Sequence, residues 1–253
     1  MTPYLVPFSY GWTTRAKTAE DKLSFFMIWV LPLWFACNSP ISLRFVAAIA
    51  AQYSLYEVGY IFNDFITIKK ENSPNFRLSE SDRERVQKRL PAIVASRLVV
   101  VAALLIILDN SAFCAALAFL MTAFSLHNAV RSRWNILTYF LLCMGKYSAL
   151  PALFVPVRLG SACLAFFAAF VLPRTLEHAA KPKYGIHALK VLAQPAFFRA
   201  AYEWSAAVFF AFISPGSLAF YTALWFYAYR ALSLALILRF GDPRKSRSDN
   251  GAA

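Results

Sequence analysis

The sequence predicts an all-α fold, a polytopic bundle of membrane-spanning helices, and three observations predict it. The 253 residues are 59% hydrophobic and 17% aromatic with only 15% charged, at a mean hydropathy of +0.51. Ordinary soluble domains run about 45–50% apolar and about 25% charged. The apolar residues also fall in long runs, close to the about 20 residues a helix needs to cross a hydrocarbon core of about 30 Å. Finally, 26 Lys and Arg stand against 13 Asp and Glu, a net charge of +13, and the basic residues crowd into alternate connections between the runs.

Eight runs are read as spans: 23–38, 41–65, 91–108, 111–130, 134–156, 159–176, 197–213 and 217–239. The first follows a polar segment with Arg15, Lys17 and Lys22 and has no small-residue cleavage pattern after it, so it is expected to stay as an anchor. The second ends in an acid-bearing stretch around Asp64, and the third starts where Pro91 stops a charged helix. The fourth is the cleanest, with no charge from Asn110 to Val130. Pro32, Pro151 and Pro173 fall inside the first, fifth and sixth, which a membrane tolerates because neighbouring groups satisfy the freed carbonyls. The last two are separated at Ser214-Pro215-Gly216-Ser217, a turn signal inside an uncharged stretch from Trp204 to Tyr229.

With a cytoplasmic N-terminus, 21 of the 26 basic residues lie on or beside the inside connections and only Arg158 on an outside one. This is the positive-inside distribution of a multi-pass protein with both termini cytoplasmic, expected in a bacterial inner membrane. It accounts for the basic charge without nucleic acid, and no nucleic-acid module pattern is present. Three regions follow: a cytoplasmic segment 1–22, the bundle 23–240, and a cytoplasmic tail 241–253 expected to be disordered. The four cysteines, Cys37, Cys114, Cys143 and Cys163, are scattered singly through apolar runs and read as small hydrophobes.

Two inside connections, 67–90 and 177–196, exceed the usual two to eight residues and suggest a task. The first contains a charged helix begun by Ser79 and Asp82, with Glu84 and Lys88 spaced for an i,i+4 pair.

Ionisable residues near or within spans are costly and therefore informative. At the end of the second run Tyr60, Asn63, Asp64 and Thr67 share one helix face, with Glu57 one turn earlier and Glu71 one turn later. Carboxylate and amide oxygens at such spacing suit a hard cation such as Mg²⁺, which in turn binds phosphate oxygens. A second cluster closes the sixth run, with Arg174, Glu177, His178, Lys181, Lys183, Tyr184, Gly185 and His187. Its basic groups suit phosphate as point charges. Lys146 and Arg230 lie inside spans and are expected to pair with Glu57 or Glu203, or to snorkel.

Taken together, Asn63-Asp64-x-x-Thr67-x-x-x-Glu71 resembles the N-D-x-x-D-x-x-x-D motif of the UbiA superfamily of intramembrane prenyltransferases. Glu177-x-x-x-Lys181-x-x-x-Gly185-Ile186 has the spacing of that family's second motif, D-x-x-x-D-x-x-x-G-[VI]. The stretch Leu126 to Arg133 is similar to the family's basic junction between helices four and five, and the resemblance covers roughly residues 20–240. It implies a UbiA-like bundle of eight or nine helices that holds an isoprenoid lipid and a phosphorylated or diphosphate substrate among membrane lipids. It also implies a Mg²⁺ site. Thr67 and Lys181 stand where the family has Asp, and a protonated Lys cannot ligate a cation, so one ion is expected rather than two.

On this resemblance Asn63, Asp64, Glu71 and Glu177 are the metal positions, and Asp64 and Lys181 are the catalytic ones. Tyr60, Lys69, Lys70, Arg77, Arg131 and Lys183 are the substrate-binding positions. The implied chemistry is prenyl transfer to a small or aromatic acceptor with diphosphate leaving at the cytoplasmic face. In such chemistry the protein neutralises the leaving group and keeps water from a carbocation-like carbon. Two alternatives remain open: phosphoribosyl transfer to polyprenyl phosphate for cell-envelope synthesis, and a non-catalytic lipid-binding protein that kept the fold.

Overall fold

The computed structural model describes residues 4–37, 42–70, 76–193 and 195–240, and every regular element among them is helical. Seven helices are long and apolar enough to cross a membrane: Leu43–Lys69, Leu90–Leu108, Ser111–Ala129, Asn135–Phe154, Pro156–Ala179, Ala196–Ile213 and Leu218–Arg239. The chain is thus a multi-pass helical membrane protein, and these seven coincide with seven of the eight expected runs.

The first expected run, 23–38, differs. It is helical from residue 19 in three consecutive pieces: α2 (Ala19–Phe25), a π-helical segment Phe26–Val30, and α3 (Leu31–Cys37). Thr18 begins it with a capping box, its hydroxyl accepting from the Asp21 amide at 3.1 Å while the Asp21 carboxylate accepts from the Thr18 amide at 3.2 Å. That cap draws the start back into the polar segment, so Glu20 and Asp21 occupy the first turn. Residues 38–41, which include the end of the expected run, lie outside the described residues, as does the tail 241–253.

The chain forms two compact units, Met1–Gly160 and Ser161–Ala253. In the first, α4 (Leu43–Phe65) is the centre, packed against α1 (Ser9–Thr14), α6 (Leu90–Leu108), α7 (Ser111–Ala129) and α8 (Asn135–Phe154). Its composition allows this. Ala48, Ala51 and Gly59 keep its contact faces low, and a Cβ on Gly59 would lie 2.6 Å from the Phe124 ring of α7. Asn128 of α7 then donates to the Gly59 carbonyl at 3.2 Å. By contrast α6 turns Leu98, Val99, Ile106 and Ile107 outward, a face suited to hydrocarbon. The charged helix expected in the first long connection is α5 (Glu80–Lys88), capped by Ser79, whose hydroxyl accepts from the Asp82 amide at 3.2 Å. Its ion pair joins Arg85 to Asp82 at 3.8 Å, an i,i+3 contact rather than the expected Glu84–Lys88.

The second unit contains α9 (Leu159–Phe166) from Ser161 onward, a π-helical segment Phe167–Val171, α10 (Leu172–Ala179), short 3₁₀ turns at 182–184 and 187–193, α11 (Pro195–Ile213) and α12 (Leu218–Phe240). Helices α11 and α12 form a hairpin turned at Ser214–Ser217, as the Ser-Pro-Gly-Ser signal predicts. Gly216 has φ +75°, a conformation that favours glycine, and the Ser217 hydroxyl accepts from the Phe220 amide at 3.2 Å.

A local repeat links the units in sequence. Leu23-Ser-Phe-Phe-Met-Ile-Trp-Val-Leu-Pro32 and Leu164-Ala-Phe-Phe-Ala-Ala-Phe-Val-Leu-Pro173 share six of ten residues. Both contain a π-segment ending just before Leu-Pro. Proline has no N–H to give back along the helix and its ring crowds the preceding turn, and a π-turn accommodates both problems. The vacated acceptors are filled from another helix in each case. Tyr147 of α8 donates to the Ile28 carbonyl, four residues before Pro32, and Tyr202 of α11 donates to the Ala168 carbonyl, five before Pro173, both at 2.8 Å.

Candidate functional site

The first unit places two carboxylates of α4 under its N-terminal segment. Glu57 is fully buried and accepts from the backbone amides of Phe8 at 2.8 Å and Gly11 at 2.5 Å, and from Arg97 Nε of α6 at 3.1 Å. Gly11 permits this approach, because a Cβ there would lie 2.2 Å from the Tyr53 hydroxyl. Phe8 takes φ +74°, a left-handed conformation unusual for a side-chain-bearing residue, and stacks its ring on Tyr53 at 5.0 Å. Arg97, also fully buried, spends its other donors on the carbonyls of Tyr4, Leu5, Val6 and Ile93 and on the Ser96 hydroxyl. A buried ion pair of this kind is tolerable because its remaining donors are satisfied.

Glu57 therefore pairs with Arg97, which the packing of α6 on α4 brings to it, rather than with the expected Lys146 or Arg230. Lys146 instead lies among aromatic faces, its Nζ 4.7 Å from the Trp29 ring centre and 5.3 Å from that of Tyr56.

Two turns on, Asp64 is 7% exposed and its carboxylate is saturated. Oδ1 accepts from Arg15 at 2.7 Å and from the Asn63 amide at 3.2 Å; Oδ2 accepts from Arg15 at 2.9 Å and the Tyr10 hydroxyl at 2.7 Å. An ionised carboxylate offers about four lone-pair positions, and all are used. Arg15 also lies over the Tyr60 ring at 4.5 Å. Tyr10 is wholly buried beside Ile61, Phe65, Val86 and Ile93, and burial together with the Asp64 charge pushes its phenol well above the ordinary range.

Around this pair the end of α4 gathers several of the expected residues. Asn63 Oδ1 accepts from the Thr67 hydroxyl at 3.0 Å, and Arg131 donates to the Thr67 carbonyl at 3.1 Å. A small recess beside Asp64 is lined by Tyr10, Phe65, Ile68, Arg77 and Arg83. Tyr60, Asn63, Asp64, Thr67, Arg77 and Arg131 thus meet at one end of one helix. Lys69 is exposed. The Lys70 side chain and Glu71 lie outside the described residues.

In the second unit Glu177 is clasped by two arginines. Arg174 Nη1 donates to Oε2 at 2.7 Å, Arg199 Nη2 donates to the same oxygen at 2.8 Å, and Arg199 Nε donates to Oε1. Helix α10 ends at Ala179, and Gly185, at φ +65°, closes the turn after Lys181-Pro182-Lys183-Tyr184. Lys181 Nζ lies 3.1 Å from His178 Nδ1, and Tyr184 Oη lies 2.7 Å from His178 Nε2. An ammonium can only donate, so Nδ1 accepts and Nε2 carries the proton toward Tyr184. Burial, with Lys183 and Arg174 nearby, holds the Lys181 pKa below the ordinary lysine value. Lys183 is exposed, 4.9 Å from the Tyr184 ring centre.

The donor sets do not form a Mg²⁺ cage among the described residues. Asp64 has no lone pair left, Glu177 is bound by guanidinium groups, and no cluster of three or more His, Cys, Asp or Glu side chains is placed to hold a metal. No signal in the sequence singles out Tyr10, Arg15 or Arg199; Arg97 shows itself only as a charge within a span. No family model, curated protein or solved structure matches the chain.

Proposed function

We propose that the protein is an integral membrane transferase of the UbiA type. It acts on an isoprenoid substrate at the end of α4, transferring the prenyl group to a small or aromatic acceptor with diphosphate as leaving group. The observation that carries this reading is the meeting of Asn63, Asp64 and Thr67 with Arg77, Arg83 and Arg131 at the end of one apolar span, beside a recess. Basic groups gathered at the end of an apolar span suit an apolar chain that carries a phosphorylated head.

In this arrangement guanidinium groups do the neutralising. Arg77 and Arg131 take the oxygens of the departing diphosphate, where bidentate geometry favours Arg. Tyr10 and Arg15 hold Asp64 in place, so that its charge offsets the basic rim. The apolar helix faces keep water from the electron-poor carbon.

A second reading, a lipid-binding protein without catalysis, is favoured by the saturation of Asp64. Mass spectrometry of lipids that co-purify with the protein, followed by turnover assays with prenyl diphosphates and with phosphoribosyl diphosphate, separates the readings. Pyrophosphate release from a prenyl diphosphate supports the transferase. A bound polyprenyl phosphate with turnover only of phosphoribosyl diphosphate moves the assignment to phosphoribosyl transfer. A tightly bound isoprenoid with no turnover of either leaves the lipid-binding reading.

A further inference from the structure

The second unit holds polar atoms that its fold leaves unsatisfied. Glu203 of α11 is 2% exposed and its Oε2 has no hydrogen-bond partner; the buried Nε of Arg230 in α12 has none either. The two are electrostatic neighbours, and Arg199 and Arg174 belong to the same neighbourhood. Yet no ion pair at bonding distance joins Arg230 to Glu203, whereas Glu177, in the same cluster, takes Arg174 and Arg199 at once. A buried polar group without a partner costs about 1–3 kcal/mol and a charged one more. Such a group calls for a ligand or water.

The sign of the ligand follows from the charges. Three guanidinium groups face two carboxylates, and Lys181 and Lys183 stand on the connection that follows α10. Two arginines are already committed to Glu177, so the unmet donor is on Arg230. The guanidinium fork matches the oxygens of a phosphate in a way a lysine does not.

We infer that Arg230, supported by Arg174 and Arg199, forms a binding site in the second unit for the phosphate or diphosphate head of a ligand, engaged directly by guanidinium without a divalent cation. The inference rests on the proposed function for the phosphorylated nature of the ligand, but requires no transfer chemistry. It adds residues that neither motif contains.

The test uses the full-length protein in nanodiscs with EDTA present. Calorimetric titration with sodium pyrophosphate probes a free phosphate, and melting in nanodiscs of phosphatidic acid against phosphatidylcholine probes a lipid head. Binding or stabilisation by at least one is expected. Arg230→Gln should weaken it by about tenfold or more, the loss of one charge-assisted contact. Arg230→Lys should weaken it less than Arg230→Gln, because it keeps the positive charge and loses only the guanidinium fork. The two graded variants keep the test decisive if one of them fails to fold. No binding of either probe by the wild type overturns the inference, as does wild-type affinity in whichever variants fold. Arg230-dependent binding without turnover of any prenyl or phosphoribosyl diphosphate overturns the transferase reading instead and leaves this site standing.

Discussion

The two units treat the same kind of residue in opposite ways. Each has carboxylates and arginines at the end of a membrane-spanning helix, and each has a π-segment before Leu-Pro whose freed carbonyl is taken by a tyrosine. In the first unit the N-terminal segment satisfies the carboxylates within the span: Glu57 meets Arg97 and two backbone amides, and Asp64 meets Arg15, Tyr10 and Asn63, while Arg15, outside the span, keeps a buried Nε and Nη1 without a hydrogen-bond partner. In the second, Glu177 is satisfied while Glu203 Oε2 and Arg230 Nε are not. A charged residue in a span is therefore not enough to mark a binding site. What distinguishes a structural charge from one ready for a ligand is whether its lone pairs and protons are already spoken for.

The sharpest way to break this contrast is to remove one arginine from each unit. Arg97→Met leaves Glu57 buried without its counter-charge and releases the carbonyls of Tyr4, Leu5 and Val6. Breaking a buried pair in this way costs about 3–5 kcal/mol, so a large fall in melting temperature in detergent is expected. Arg230→Gln should cost far less, since its Nε makes no bond to lose. Equal losses in the two variants would erase the distinction.

Arg15 offers the next largest effect. Arg15→Met removes two hydrogen bonds from Asp64 and leaves a 7% exposed carboxylate short of partners. Bonds to charged groups are worth about 1.5–3 kcal/mol each, and a loss within that range is expected after Tyr10 and Asn63 compensate in part. The freed lone pairs should also admit a hard cation. The expected signature is thermal stabilisation by Mg²⁺ in Arg15→Met that the wild type lacks. A wild type already stabilised by Mg²⁺ to the same extent would show that Arg15 does not occupy the cation's place.

These contrasts mark how far the sequence was legible. Run length, basic-residue asymmetry and turn chemistry report local or solvent-driven properties, and they located the seven spans, the Ser79-capped helix and the Ser214–Ser217 turn. The motif spacing likewise brought Tyr60, Asn63, Asp64 and Thr67 to one helix end, because helical periodicity alone does that. What surrounds Asp64 depends on a segment some 50 residues earlier folding back over α4, and no periodicity encodes such a contact. The partner of Glu57 was missed for the same reason: Arg97 reaches it only through the packing of α6 on α4. The repeat around Pro32 and Pro173 was available in the sequence, but its meaning, a π-turn with a tyrosine supplied by another helix, lies in hydrogen bonding between helices.

That repeat gives the third test, in which the units should respond alike. Tyr147→Phe and Tyr202→Phe each remove one hydrogen bond to a carbonyl that a proline left unpaired. Each should cost about 1 kcal/mol, read as a modest and similar fall in melting temperature. Replacing the proline in the same background supplies an N–H again, so Pro32→Ala should recover part of the loss in Tyr147→Phe, and Pro173→Ala in Tyr202→Phe. Absence of recovery in both would mean that the tyrosines stabilise through ring packing and not through the vacated acceptor.

The smallest expected effect concerns Lys181 and has a definite sign. Its pKa is held below the ordinary lysine value by burial and by Lys183 and Arg174. The folded protein thus binds fewer protons at this site than the unfolded chain between the lowered and the ordinary value, and stability rises with pH across that alkaline interval. Below the lowered value the full cost of carrying the charge is present. Lys181→Met removes the cost, so it should melt slightly higher at neutral pH and lose the alkaline increment. Much of the side chain is open to solvent, which keeps the difference under about 1 kcal/mol. Melting curves of both proteins from neutral pH to beyond the ordinary lysine range measure it, and an unchanged alkaline increment in Lys181→Met would assign the rise to another group.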